Sequence, residues 1–254
     1  MARLIVTCDD CGLSEGINHA ALNLHRRGMA HHASVMTNFP AARHALDLFR
    51  AEPNFQIGAH LNLTEGRART FLENFPLTFA NGYFLPYARL VVRALAPTEN
   101  FLRAVENELD AQIRVLTAAT IQPAHLSTHM HFHLLPSLRE IVFKLAREYR
   151  VPWVREYRVS RTALPFNPFL QTQIAESSNR QIPDYVAALY YQMNYSPRAQ
   201  AEFCARLPGT VELAVHPSLA RDETFPAFAS YPPRERVREM ECFNRFWQEW
   251  QKRD

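Results

Sequence analysis

A short apolar run that ends at two adjacent acids lies near the start of the sequence: RLIVTCDDCGLS, residues 3–14. Arg3 to Cys8 is rich in β-branched side chains and is typical of a buried strand. Ser14 then fits the N-cap position of a helix over residues 15–28 that ends at Gly28. The stretch therefore predicts a strand, a turn that carries two acids, and a helix in direct succession.

The same alternation continues along most of the chain. Further strands are predicted at residues 32–39, 55–64, 151–159 and 210–218, and residues 123–136 are predicted to form a strand and its exit loop. Further helices are predicted at residues 40–51, 98–116, 137–150, 184–193, 197–207 and 233–251. Such alternation is typical of parallel strands with crossover helices, so the fold class is α/β. A closed or partly closed barrel is preferred, and an open doubly wound sheet is the alternative.

Length and composition are consistent with one domain over residues 1–254, because 254 residues with 47% hydrophobic content can form one large core. Two segments without a sustained period, near 65–97 and 159–185, are predicted to be irregular insertions. The first is rich in aromatic side chains, and it is either a self-packed loop or a lid over an active site.

The charge pattern excludes several classes of function. The net charge is +3 and no block of Lys or Arg occurs, which argues against nucleic-acid binding. We expect no signal peptide, and the sequence contains no apolar run long enough to span a membrane and no glycine-rich nucleotide-binding loop. The cytoplasm is the expected compartment.

The acid pair lies inside a C-x-x-C pattern, so two interpretations compete for residues 8–11. A reactive thiolate needs nearby positive charge, but Cys8 and Cys11 flank two carboxylates, which raise a thiol pKa. Cys204 and Cys242 do not supply a second knuckle for structural zinc. Asp9 and Asp10, by contrast, follow a strand and point in different directions, so one can bind a cation while the other faces a substrate.

Histidines are the second set of candidate metal ligands, beside the acid pair. AHLSTHMHFH, residues 124–133, holds four of the eleven histidines. In an extended segment the alternate side chains face the same way: His125, Ser127, His129, His131 and His133. Neutral imidazoles that converge with a carboxylate suit a divalent transition metal such as Zn²⁺. His60 and His216 also follow predicted strands, and the carboxyl ends of parallel strands meet at one edge.

These ordered motifs resemble the YdjC-like carbohydrate deacetylases, including chitooligosaccharide deacetylases and hopanoid-associated relatives. LIVTCDDCGLSEGIN is similar to the family's D-D-F-G-L-S opening, and IGAHLNLT to its G-x-H-x-x-L-T. SVMTNFPAA, HLSTHMHFHLLP and ELAVHPS match its second strand, its H-x-D-S-H-x-H-x-H and its late H-P. The resemblance implies an irregular TIM-like (β/α) barrel and hydrolysis of the acetamide of N-acetylated sugars.

The resemblance also implies roles for individual residues. Asp10, His60 and His129 would be the metal ligands, Asp9 the general base, and His216 the general acid or oxyanion partner. The substrate-binding residues would be His131, His133, Asn38 and Arg155. Mg²⁺ is the first metal by resemblance, whereas the ligand types favour Zn²⁺ or another transition metal.

Three positions depart from the family pattern: Cys8 lies where a small residue is common, Cys11 replaces the usual Phe, and Ser127 replaces an Asp. The loss of that Asp weakens metal binding if it orients a ligand. The expected partner is a small carbohydrate substrate, and relatives suggest a homodimer. The alternatives are another metal-dependent hydrolase on this scaffold, an inactive sugar-binding relative, or a C-x-x-C redox protein.

Overall fold

The computed structural model describes residues 2–70, 75–155, 158–159, 171–172, 183–188, 196–219, 221–227 and 229–253. Its strands are β1 (Arg3–Cys11), β2 (His32–Val35), β3 (Gln56–Leu61), β4 (Leu126–Thr128), β5 (Arg158–Val159), β6 (Gln171–Thr172), β7 (Tyr185–Ala188) and β8 (Thr210–Val215). Its helices are α1 (Glu15–Arg26), α2 (Ala42–Arg50), α3 (Tyr87–Leu95), α4 (Glu99–Ala118), α5 (Pro136–Glu148), α6 (Pro197–Arg206) and α7 (Pro233–Gln251). A 3-10 turn, His129–Leu134, follows β4.

Six parallel strands form the sheet in the order β4-β3-β2-β1-β8-β7, and β6 and β5 extend it antiparallel beyond β7. At the opposite edge Val154 forms a parallel bridge with Leu126 of β4. The sheet curls, because the next residue, Arg155, contacts carboxylates on both β1 and β8. This curled α/β half-barrel confirms the barrel prediction over the open doubly wound sheet.

The turn between β1 and α1 is fixed by local backbone geometry. The pairing of β1 with β2 shifts register between Cys8 and Cys11, and Asp10 takes a left-handed backbone with φ of 59°. Such a bulge redirects side chains. Gly12 follows with φ of 90°, and a Cβ there would lie 2.7 Å from the Met36 carbonyl oxygen, so only glycine fits. Ser14 caps α1, as predicted, by accepting a hydrogen bond from the Ile17 amide.

Three sequence-based assignments are corrected. Residues 184–193 are predicted to be helical, but Tyr185–Ala188 form β7 alongside β8; a short apolar run fits either structure, and the sheet supplies the pairing. The strand predicted in residues 123–136 ends at Thr128, because Met130 and His131 have φ of 53° and 51° and turn the chain. The irregular segment 65–97 contains α3, which buries Leu90 and Ala94.

The role of residues 65–97 as a lid stays a prediction. Most of the second predicted insertion, 159–185, lies outside the described residues. Within the described part of the chain, none of the helices combines the length and the apolar character needed to cross a membrane.

Two histidines, His32 and His125, pack against Trp153. The His125 ring stacks on Trp153 with centroids 4.7 Å apart, and its Nδ1 lies 3.4 Å from His32 Nδ1. A Cβ at Gly58 would lie 2.3 Å from the His125 ring, so this glycine makes room for it. Burial lowers the pKa of His32 to about 4 and that of His125 well below its usual value.

We expect this pair to destabilise the fold in acid. The unfolded chain protonates both rings below about pH 6.5 while the folded chain does not, so their contribution to stability falls as pH drops below 6.5, by about 1.4 kcal/mol per unit and group. His125→Phe keeps a ring on Trp153. When the pH is lowered from 7 to 5, the free energy of unfolding should decrease in this variant by about 1–2 kcal/mol less than it does in the wild type. Urea unfolding at the two pH values measures this.

The control for that comparison is His19→Phe, at an exposed position on α1. It should follow the wild-type pH dependence. Identical pH dependence in His125→Phe and the wild type would contradict the prediction.

Candidate metal centre

Three buried side chains from different strand ends meet at the carboxyl edge of the sheet. Asp10 Oδ1 lies 3.2 Å from His60 Nε2 and 3.1 Å from His129 Nδ1. Ligand atoms about 2.1 Å from one ion and roughly at right angles to each other lie about 3 Å apart, so these separations fit a shared divalent cation. Among the described residues this is the one group of three such side chains whose ligand atoms all lie within 4.8 Å of one another.

The surroundings of Asp10 keep it ionised. Burial favours the protonated acid, but the guanidinium of Arg236 and the two histidines outweigh it and hold the pKa of Asp10 well below its usual value. Arg236, which is 1% exposed, donates from Nη2 to Asp10 Oδ2 at 2.6 Å. One oxygen of Asp10 is therefore occupied by α7, and the other faces the two imidazoles.

His129 lies between two carboxylates. Its Nδ1 faces Asp10, and its Nε2 lies 3.2 Å from Glu65 Oε1. Burial lowers the pKa of His129, but Asp10 and Glu65 outweigh burial and raise it to about 10. The fold thus stabilises positive charge at this point, and a divalent metal would supply it when the Nδ1 proton is displaced.

His60 is oriented by hydroxyl groups. Its Nδ1 lies 2.7 Å from Ser127 Oγ and 3.3 Å from Ser34 Oγ, and the two serines contact each other. Ser127, the position that departs from the family pattern, therefore fixes the ring that presents Nε2 to Asp10. A hydroxyl performs here the orienting role that carboxylates often have beside metal-binding histidines.

Asp9 points away from Asp10, as the sequence predicts, and pairs with Arg155. The Arg155 guanidinium donates from Nη2 to Asp9 Oδ1 at 2.9 Å and also from Nη1 to Oδ2. It donates as well to Glu212 at 2.8 and 3.0 Å, and Thr7 Oγ1 donates to Glu212. Burial raises the pKa of Asp9, but Arg155 outweighs it and holds this pKa below its usual range.

The prediction that Arg155 binds substrate is corrected by this geometry. Its side chain is 0% exposed and its nitrogens are taken by carboxylates. It acts as a positioning residue for Asp9.

His216 follows β8 and is paired with α7. Its Nδ1 lies 3.1 Å from Glu239 Oε2, its backbone amide donates to Glu239 Oε1, and Tyr231 OH donates to Glu239 Oε2 at 2.7 Å. Burial lowers the pKa of His216, but Glu239 outweighs it and raises the pKa above its usual value. The imidazole is thereby held with Nδ1 inward, as an acid needs.

The predicted row of histidines on one face is not formed. His125 is in the Trp153 cluster, and the turn after Thr128 separates His131 and His133 from His129. His133 is fully buried and its Nδ1 bonds to Thr128 Oγ1, so it is not placed to contact a substrate. The role of His131, which is half-buried, stays a prediction.

Asn38 fixes the loop after β3. It donates to the backbone oxygens of Glu65 and Arg67 at 3.0 and 3.2 Å. The loop is also tied to α4, where Glu108 accepts bonds from the amides of residues 69 and 70, and Gln112 binds the Asn62 backbone. Asn38 also lines a groove on this face. Its substrate-binding role stays a prediction.

The interpretation of the C-x-x-C pattern as a redox pair loses support. Cys8 and Cys11 are buried free thiols, and burial together with nearby carboxylates raises the pKa of each above its usual value. Cys11 Sγ donates to the Cys8 carbonyl at 3.4 Å. A thiol held protonated in this way is a poor nucleophile.

Four charged residues of the centre are absent from the sequence-based prediction: Glu65, Glu212, Arg236 and Glu239. Glu65 directly follows the GAHLNLT motif, and this position after a predicted strand could have marked it as a site residue. Arg236 and Glu239 lie three residues apart on α7, but their charges alone are typical of an exposed helix face. Only the tertiary structure shows that this face points inward.

Comparisons with known proteins identify the family to which the chain belongs. A family model described as "YdjC-like protein" matches residues 3–247. A carbohydrate deacetylase of Brevibacillus brevis is 36% identical over 151 residues, 59% of this chain and 58% of that protein. One of Vibrio vulnificus is 31% identical over 150 residues, 57% of its length, so these two alignments span less than two thirds of each relative.

Other matches extend over the whole chain. A carbohydrate deacetylase of Halalkalibacterium halodurans is 29% identical over 248 residues, 96% of this chain and 95% of that protein. The crystal structure of a putative cellobiose-phosphate cleavage protein from Enterococcus faecalis superposes with a TM-score of 0.77 at 21% identity, covering 99% of this chain and 95% of that one. This likeness supports the fold.

Removal of the Arg155 guanidinium should destabilise the protein strongly. Arg155→Met leaves the carboxylates of Asp9 and Glu212 buried without their cation, which should cost about 3–5 kcal/mol in the free energy of unfolding. Urea denaturation measures the loss. Arg43→Met, which removes an exposed pair with Asp47, is the control and should cost about 1 kcal/mol or less. Equal losses in the two variants would contradict the prediction.

Proposed function

The chain belongs to the YdjC-like protein family, and from this premise we propose that it is a metal-dependent carbohydrate deacetylase. The reaction is hydrolysis of the acetamide of an N-acetylated sugar, with release of acetate. The relatives named carbohydrate deacetylase support this reaction class, one of them over 95% of its own length. The single observation that carries the proposal is the buried group of Asp10, His60 and His129.

The donor set indicates which metal belongs there. Two imidazoles and one carboxylate favour Zn²⁺ or another divalent transition metal, because Mg²⁺ prefers oxygen ligands. Mg²⁺, which the family resemblance implies first, is the second candidate. Three protein ligands leave further coordination positions for water and substrate.

The reaction divides between the cation and two titratable side chains. Asp10, His60 and His129 would hold the divalent ion, which would polarise the acetyl carbonyl and lower the pKa of a water molecule. Asp9, kept ionised and oriented by Arg155, accepts a proton as water attacks the carbonyl carbon. His216, whose raised pKa favours the imidazolium, donates a proton to the amine nitrogen as the carbon–nitrogen bond breaks.

A groove of about 460 Å³ beside the centre is large enough for a sugar ring. It is lined by Leu13, Glu15, Asn38, Phe39, Pro40, Ala41, Gly66, Arg67, Tyr83, Thr224 and Pro226. Gly66 directly follows Glu65, which contacts His129, so the groove adjoins the metal group. Tyr83 is 39% exposed, with the Arg67 guanidinium 5.8 Å from its ring centre. Aromatic faces combined with polar side chains suit a carbohydrate.

Two variants separate metal binding from proton transfer. Asp9→Asn should retain the metal and lose about 10²- to 10⁴-fold in turnover, because it removes the proton acceptor. His129→Ala should lose both metal and turnover. Acetate release from N-acetylglucosamine oligomers, with EDTA treatment and add-back of Zn²⁺ or Mg²⁺, is the assay. Full activity in Asp9→Asn, or sugar binding without metal-dependent acetate release by the wild type, would contradict the proposal.

The groove gives a second expectation. Tyr83→Ala should raise KM for the sugar about two- to twelvefold and leave kcat unchanged, because a ring contact worth about 0.5–1.5 kcal/mol is lost. Phe79→Ala is a matched control: this ring is 43% exposed and has Arg89 5.8 Å from its centre, but it does not line the groove. If both variants shift KM equally, the groove is not the sugar site.

A further inference from the structure

One buried carboxylate beside the metal group has no part in the proposed chemistry. Glu65 is 9% exposed, and its Oε1 lies 3.2 Å from His129 Nε2, on the side of the ring opposite Asp10. It does not belong to the Asp10, His60 and His129 group, so its side chain lies outside the set of ligands. Carboxylates in this position beside metal-binding histidines fix the ring and its tautomer.

Glu65 is itself held from both sides. Its backbone amide donates to Asn62 Oδ1 at 3.1 Å, and its carbonyl accepts from Asn62 and Asn38 at 2.6 and 3.0 Å. Its side chain also accepts the backbone amide of Ser230 at 3.0 Å. The carboxylate is therefore placed by three separate loops, and small displacements of its position are restricted.

We infer that Glu65 is the positioning residue that selects the metal-binding nitrogen of His129. His129 Nε2 lies within ion-pair distance of Glu65 Oε1 but outside hydrogen-bond geometry, so the attraction of the carboxylate favours a proton on Nε2 and leaves the lone pair of Nδ1 towards Asp10. His60 has the opposite arrangement, since Ser127 takes its Nδ1 and Nε2 faces Asp10. The two histidines of one centre thus present different ring nitrogens, and each choice is made by a neighbouring side chain. The inference rests on the proposed function only in requiring that the group binds a divalent ion.

Titration calorimetry of the metal-free protein with Zn²⁺ or Mg²⁺ alone tests this without any activity assay. Glu65→Ala should weaken binding of the ion about 10- to 100-fold. Glu65→Gln, which keeps an acceptor oxygen of the same shape, should show a smaller loss. Glu140→Gln, at an exposed carboxylate paired with Arg139, is the control and should bind as the wild type does. Thermal unfolding of each metal-free variant shows whether it is folded.

Nitrogen NMR of ¹⁵N-histidine-labelled, Zn²⁺-loaded protein shows which ring nitrogen of His129 binds the ion. A purely structural role of Glu65 would leave that choice unchanged. In the wild type His129 should coordinate through Nδ1 and keep its proton on Nε2. In Glu65→Ala the ring is no longer held, so coordination through Nε2 should appear. Unchanged affinity together with Nδ1 coordination in both Glu65 variants would overturn the inference alone. Failure of the wild type to bind either ion would overturn the proposed function.

Discussion

The structure depends on one buried guanidinium, that of Arg155, which joins the edge of the sheet to its centre. Arg155 follows the short bridge at the β4 edge and pairs with Asp9 on β1 and Glu212 on β8. All three side chains are nearly or completely inaccessible to solvent, so none can be removed without leaving charge uncompensated in the interior. This interaction sets the curvature that brings separate strand ends together, and it also fixes the direction of Asp9.

The candidate centre follows from the same balance of charge. Three carboxylates carry negative charge: Asp9, Asp10 and Glu65. The guanidinium groups of Arg155 and Arg236 and the histidines balance it. Asp10 and Glu65 raise the pKa of His129, so negative charge is in excess where the ligand atoms converge. A divalent ion bound there would balance that charge and add Lewis acidity that an imidazolium lacks. The two acids of the pair can therefore differ in role although they are neighbours in sequence.

Much of this could be predicted from the sequence, because strand ends in a parallel sheet share one edge. That rule placed the acid pair, His60, residues 129–133 and His216 at one edge, and the family resemblance selected Asp10, His60 and His129 among them. It failed where the backbone leaves regular geometry: the left-handed residues Met130 and His131 separate a row of histidines that an extended strand would align. β7 was mistaken for a helix because short apolar runs carry no period of their own.

The contact between Asp10 and Arg236 joins residues 226 positions apart, and it has a consequence for synthesis of the protein. On the ribosome the first strand and its acids emerge long before α7, so the early β-α units must exist for some time with Asp10 lacking its guanidinium. The centre is therefore assembled only when the late helix docks, although its first ligand precedes Arg236 by 226 residues. Cotranslational folding can build the half-barrel in stages, but its charge balance is completed in a single final step.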